Sequence, residues 1–234
     1  LGELVTKHCL LHSNLNVNIL IRNPQKNPEL VEKVWKAGGK IMQGDFGQPD
    51  SLKDVTKGMH TVISTVYPMD EVALAGQINL IDDCVRNGVE RFVPSDFAGG
   101  IEKFSKDELL ENVAMGCKLK IHDYLRGKPI KTLHFWQGMF LESFFVAHTN
   151  AFGYWGNMDH RYDLTTYEDT AKVVAAAVAD EGRTGDVKIS GNDLNITEIT
   201  EIYNKVRGTH VKPKQYGTFD ELKKKWQEAK KMNS

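Results

Sequence analysis

From residue 3 to residue 136, short apolar runs alternate with amphipathic stretches, and this alternation restricts the fold more than any other feature. "ELVTKHCLLH" puts Leu4, Val5, Cys9 and Leu10 near one helical face. "NVNILIRN" then supplies an apolar strand, Val17 to Ile21. "PELVEKVWKAGG" reads as a helix with a glycine stop, and "KIMQGDF" as a strand. "PDSLKDVTKG" reads as a short helix capped by Asp50 or Ser51, and "HTVISTV" as a buried strand. "DEVALAGQINLIDDCVRNG" is a long amphipathic helix ending at Gly88, followed by the strand "ERFVPSDF". "DELLENVAMGCKLKIHDYLRG" is the next helix and "IKTLHFW" the next extended run. Strands and helices alternating this closely predict an α/β fold: a doubly wound parallel sheet with helices on both faces and right-handed crossovers.

After Phe140 the rhythm loosens. "HTNAFGYWGNMDHRYDLTT" reads as loop and short strand over a pocket. Phe140, Phe144, Phe152, Tyr154 and Trp155 are either walls of that pocket or ordinary core. "YEDTAKVVAAAVADEG" is an Ala/Val helix, "GDVKISGN" a strand, "ITEITEIYNKVRG" a helix capped by Asn195 or Thr197, and "FDELKKKWQEAKK" a last amphipathic helix. The expected division is a sheet domain over 1–141 and a small C-terminal substrate lobe over 142–234, packed together as one unit.

Net charge is −1 across 234 residues, so nothing favours nucleic acid or an anionic membrane as a partner. The run Lys223-Lys224-Lys225 sits among Glu and Gln and reads as a solvated face. Three cysteines with no close pair exclude a disulfide framework and a CxxC metal site, and no metal is expected. They fit a reducing, cytoplasmic location. No apolar run approaches the ~18 residues of a membrane span.

A dinucleotide places specific demands on the carboxyl ends of such a sheet. Where NAD would need an acid after its second strand, this chain has Arg22, with Lys26 just beyond. A guanidinium suits the 2′-phosphate of NADP, although a surface Arg in a loop reads as well. Asp45-Phe46 offers a short acid and an aromatic face for adenine, or simply a strand-to-helix turn. Ser64-Thr65 offers small hydroxyls that let a ribose approach. No complete glycine-rich phosphate loop is present. The chain opens Leu1-Gly2, so Gly2 stands where the last glycine of such a loop would. The first strand of the usual order is absent from this sequence, and a sheet without it would have a slot and unpaired edges. Either ~10 residues stand upstream, which is the favoured reading, or the chain is a shortened form that holds the cofactor poorly.

With these residues in place, the chain resembles the NmrA-like, isoflavone reductase-like branch of the atypical short-chain dehydrogenases. The stretches that carry the resemblance are "ILIRNP", "GDFGQPDSLKDVTKGMHTVIST", "RFVPSDFAGG", "KLKIHDYL", "HFWQGMFLE" and "YEDTAKVVAAAV", in family order over nearly the whole chain. The resemblance implies a Rossmann-type NAD(P)-binding domain and NADP as cofactor. It implies Arg22 at the 2′-phosphate, Asp45 and Phe46 at adenine, and Ser64 and Thr65 under the ribose and pyrophosphate. Pro94, Ser95, Asp96 and Phe97 fall beside the nicotinamide, where many members have Glu at the position of Asp96.

Lys118 matches the lysine that such reductases place beside the nicotinamide ribose as general acid/base. A surface lysine next to Lys120 is the plainer reading of the spacing. Two departures stand out. His122-Asp123 replace a usual arginine pair, and Tyr124 and Lys128 imitate a Tyr-x-x-x-Lys motif at the wrong end of the helix, which reads as accidental. His134 and His148 have no partner at ligand spacing and are given no role. The implied function is an NADP-dependent reductase of a small aromatic molecule. The alternative is a non-catalytic NAD(P)-binding sensor or regulator acting through a protein partner.

Overall fold

The structure, a computed structural model, describes residues 1–67, 70–101, 105–106, 112–147 and 152–232. In chain order its elements are α1 (Gly2–Cys9), β1 (Ile19–Ile21), α2 (Pro28–Lys36), β2 (Ile41–Gln43), β3 (Thr61–Ile63), α3 (Glu71–Arg86) and β4 (Arg91–Val93). There follow α4 (Val113–Leu125), β5 (Lys131–Trp136), β6 (Met139–Phe140), α5 (Leu141–Ala147), β7 (Gly153–Trp155), β8 (Arg161–Thr165) and α6 (Tyr167–Ala179). The last are β9 (Gly185–Lys188), β10 (Asn192–Asn195), α7 (Ile196–Arg207), β11 (Lys214–Gly217) and α8 (Phe219–Met232).

Two compact units emerge. The first comprises Leu1–Trp136 and Tyr167–Ile189, the second Gln137–Thr166 and Ser190–Ser234. Residues 167–189 return to the first unit because α6 packs on α1 and β9 pairs with β5, Leu133 beside Gly185 through Trp136 beside Lys188.

In the first unit all ladders are parallel, as the alternation predicts. β1 pairs with β2, and β3, β4, β5 and β9 form a second sheet in that order. Among the described residues no ladder joins β1 to β3. Side-chain alternation then distributes the core to both faces. Val93, Leu133 and Phe135 pack with Val5 and Cys9 of α1 and Ala171, Val174, Ala175 and Val178 of α6. Phe92 points the other way, into Leu80, Ile81 and Cys84 of α3 and Ile121 and Leu125 of α4. All three residues of β4 are buried, which is the signature of a strand covered on both sides. Burial pushes the Cys9 and Cys84 thiols up, to about 11 and about 12, so both remain protonated and inert near neutrality.

Two buried charges fasten the helices to the sheets. The Arg91 guanidinium, 1 % exposed, donates to Thr61 Oγ1 and to the carbonyls of Val178, Asp180 and Arg183, so it caps the end of α6. Asp83 on α3 accepts from the Asp54 and Thr56 backbone N–H groups and the Thr56 hydroxyl. Those bonds explain one departure from expectation. The helix expected over 49–58 is a single 3-10 turn, Pro49–Leu52, capped by Gln48 and by neither Asp50 nor Ser51. Asp54 turns to φ 60, and the next donors go to Asp83 rather than to a helical ladder.

Asp70 caps α3, and Asn195 caps α7 in a reciprocal capping box with Glu198. α4 begins at Val113 behind an Asn112 cap, while residues 107–111 of the expected helix lie outside the described residues.

In the second unit β8 pairs with β10 (antiparallel) and β6 (parallel), and β7 with β11. Phe144, Phe152 and Tyr154 are buried with Leu164, Ile196 and Ile199, so these three aromatics are core of that unit and not pocket walls. Residues 148–151, His148 among them, lie outside the described residues. No described helix is long and apolar enough to cross a membrane.

Arg91→Met removes four hydrogen bonds and leaves the carbonyls at the end of α6 without their donor. Urea denaturation should show a loss of about 3 kcal/mol with an unchanged m-value.

Candidate functional site

The sequence-selected residues belong to the first unit and gather at the carboxyl ends of its parallel strands. Arg22 follows β1, Asp45 and Phe46 follow β2, Ser64 and Thr65 follow β3, and Pro94 to Phe97 follow β4. This is the edge where doubly wound sheets hold ligands, because the helix N-termini point there. Phe46 lies against Gly76 of α3 so closely that a Cβ at residue 76 would overlap its ring. Asp45 is turned inward on its own loop, its Oδ1 accepting the Gly47 N–H at 2.9 Å. Arg22 and Lys26 are both exposed, and among the described residues neither makes an ion pair. The loop after β1 therefore presents two uncommitted cations.

A fit for a nucleotide cofactor rests on two observations. Among the described residues the buried Ser64 hydroxyl has no hydrogen-bond partner, an orphan at the end of β3 where a ribose or phosphate oxygen would satisfy it. Beside it, a Cβ built on Gly2 would stand 2.5 Å from Thr65 Oγ1. The first turn of α1 therefore lies against the Thr65 side chain just beyond β3, with its N–H groups at the same edge. Arg22, Lys26, Ser64, Thr65 and Gly2 are the residues that would hold such a group.

The loop after β4 is the most tightly organised part of the site. Pro94 ends the ladder, Phe97 turns to φ 33 and stacks on Phe135, and Ala98 bridges back to Trp136. The Ser95 N–H donates to the buried Gln77 side chain of α3 at 3.1 Å. Lys118, one turn before His122 on α4, is 6 % exposed and donates to the carbonyls of Ser95 (2.8 Å) and Asp96. Desolvation lowers the lysine to about 8, partly opposed by the charges of Asp96 and Cys117. An ammonium that is buried and weakly held by two neutral carbonyls can exchange its proton near neutrality.

The Asp96 carboxylate is 1 % exposed, and its two oxygens are taken separately. His122 Nε2 meets Oδ1 at 2.8 Å and His134 Nδ1 meets Oδ2 at 2.7 Å. The imidazoles lie 4.5 Å apart, with Trp136 at 5.5 and 6.0 Å from them. Burial by itself would raise the carboxyl, but the bonds and charge of the two histidines outweigh it and hold Asp96 below the usual carboxylate range. Two imidazoles and a carboxylate with ligand atoms within 4.8 Å are also donors that suit a transition metal. Here each oxygen already receives one ring nitrogen, the pattern of a hydrogen-bonded clamp.

His134 thus has a partner that its sequence spacing concealed. It lies 38 residues from Asp96, and only the parallel pairing of β4 with β5 brings them together. The visible signal was weaker: His122 stands one helical turn after Lys118, so both face the same loop. Tyr124 and Lys128 do meet, Nζ to hydroxyl at 3.0 Å, but both bind Asp82 on α3, away from the strand ends and from Lys118.

A parallel α/β sheet with helices on both faces and candidate residues at its strand ends is the Rossmann-type class of fold. The NmrA-like family profile matches residues 1–233, and the chain belongs to that family. Eugenol synthase 2 of Clarkia breweri is 32 % identical over 111 residues, 47 % of this chain and 35 % of that protein, so the matched stretch spans about a third of the relative's length. Among solved structures, isoflavone reductase superposes with a TM-score of 0.80 at 18 % identity, covering 97 % of this chain and 78 % of that one. The Citrobacter triphenylmethane reductase complexed with NADP(H) superposes with a TM-score of 0.72 at 18 % identity, covering 92 % and 75 %. At such identities these likenesses show the Rossmann-type fold.

Asp96 has a depressed pKa, so its contribution to stability is present above the ordinary carboxyl value of about 4 and is lost as pH falls through its lower folded value. Asp96→Asn should therefore be less stable than the natural protein at pH 6, with the gap closing below about pH 4. Urea midpoints measured across that range check it.

Proposed function

We propose that the protein is an NADPH-dependent reductase of a small aromatic organic molecule. The observation that carries this reading is Lys118, buried at the end of β4, cradled by two carbonyls and lowered to about 8. Family membership and the orphan Ser64 hydroxyl support it. So do the names of the similar proteins, which are enzymes of eugenol, isoflavone and triphenylmethane chemistry, one of them complexed with NADP(H).

When bound, the dinucleotide supplies a hydride, which no side chain can. The chain's own residues do the rest. Arg22, with Lys26 beside it, takes the 2′-phosphate, because a planar guanidinium can grip it bidentately. Gly2, Ser64 and Thr65 line the ribose and pyrophosphate, and Asp45 with Phe46 faces the adenine. Pro94, Ser95 and Phe97 give the reactive end of the site a wall whose backbone is fixed by Gln77 and Phe135. Lys118 donates the proton that completes reduction, its ammonium becoming a neutral amine that recovers a proton from solvent.

Arg22→Ala should weaken NADPH binding by roughly tenfold or more while leaving NADH binding unchanged, since it removes one charge-assisted contact. Fluorescence titration of both nucleotides reads this. Equal loss for both, or no loss, would contradict the assignment.

Lys118 must be an ammonium to donate, so kcat for reduction should be level below about pH 8 and fall above it. Lys118→Ala should lower kcat by about a hundredfold or more, abolish that limb, and keep most of the NADPH affinity. Tight NADPH binding with no hydride transfer to any aromatic carbonyl or alkene would instead indicate a sensor that works through a protein partner.

A further inference from the structure

A buried lysine beside a buried aspartate would ordinarily form a salt bridge. Here they are neighbours, yet Lys118 bonds the backbone carbonyls of Ser95 and Asp96, while the Asp96 carboxylate faces away to His122 and His134. The arrangement matters because a lysine locked in a buried ion pair would hold its proton too tightly to donate it. Each carboxylate oxygen has one imidazole nitrogen within 2.8 Å, so the carboxylate's demand for hydrogen bonds is met without the ammonium.

We propose that His122 and His134 are positioning residues: they hold the Asp96 carboxylate off Lys118, so that the lysine stays a proton donor and does not become half of a salt bridge. The proposal deepens the reductase reading and rests on Lys118 as its acid.

Among the described residues, few other charges face this pair. The loop after β4 contributes Asp96. From α4 come Lys118, His122 and the buried Cys117 thiol, and Asp123, whose pairs are Lys106 and Arg126. From β5 comes His134. From β9 comes Asp186, the register partner of His134, whose Oδ1 is already taken by the Trp136 indole N–H at 2.7 Å. Trp136 is 7 % exposed and lies against both imidazoles, so it fixes their planes and keeps water from the carboxylate. Taking away either histidine leaves one Asp96 oxygen buried and unpaired, and it would turn to the lysine ammonium, whose proton affinity the Asp96 charge already raises.

The test reads the lysine directly. Trace acetic anhydride labels free amines, and its pH dependence at the peptide carrying Lys118, followed by mass spectrometry, gives the midpoint of that residue without any substrate. The midpoint should rise by about one unit, a tenfold change in ionisation, in His122→Ala and in His134→Ala. His122→Gln and His134→Gln, which keep an N–H donor, should stay near the natural protein. In an Asp96→Asn background His134→Ala should move nothing further, because its effect passes through the carboxylate. Far-UV circular dichroism verifies folding, and leucine variants replace any alanine variant that fails it. Unmoved midpoints in both histidine variants overturn the proposal. So does an equal shift in the Asp96→Asn background, and so does a stoichiometric metal that EDTA removes together with the shift. Labelling needs no turnover, so the two readings fail separately. If only the reductase reading is wrong, the midpoints still move in a protein that transfers no hydride.

Discussion

A carboxylate taken out of water must be given partners, and the burial of Asp96 imposes that demand at the centre of this molecule. Its position is dictated by β4, whose three residues are all buried and which ends at Pro94. The acid that follows cannot reach solvent. It is met by one imidazole from α4 and one from β5, and these bonds tie a helix and a strand to the same loop. The carbonyls of Ser95 and Asp96 are thereby left free to receive Lys118. Lysine chemistry, loop shape and helix placement at this end of the sheet all trace back to one buried charge.

The same logic recurs at the opposite end of the first unit. Arg91 opens β4 and is as buried as Asp96, but its partners are carbonyls at the end of α6 and a hydroxyl of β3. One three-residue strand is thus bounded by a buried cation and a buried anion, each binding elements distant in sequence. Asp83 does comparable work for the loop after β2. These charges select one arrangement of helices on a sheet whose apolar faces alone would tolerate several.

The strand ends that we propose face the cofactor are different in kind. Among the described residues Arg22 and Lys26 are exposed and unpaired, and the Ser64 hydroxyl has no hydrogen-bond partner. A charge fully engaged within the protein has little left for a ligand, whereas these groups retain their full capacity to bind one. The contrast separates residues that build the site from residues that serve it.

The fold class was legible in the sequence because apolar period and turn chemistry are local. The apolar runs around Val62, Phe92 and Leu133 are parallel strands, and Asn195 caps its helix. The strand-end residues were legible too, since a doubly wound sheet places them by rule. What sequence reasoning missed was non-local. The 49–58 helix gave way to Asp83, 29 residues beyond Asp54, and only the packing decided that three aromatics left open between pocket wall and core are core. His134 had no assigned role until β4 and β5 paired. By itself the sequence determined which segments are strand and helix and which polar residues end them, because those choices are made within a few residues. Only the tertiary structure decided which charges meet, because a buried group's partner is whatever the packing of distant elements brings within 3 Å.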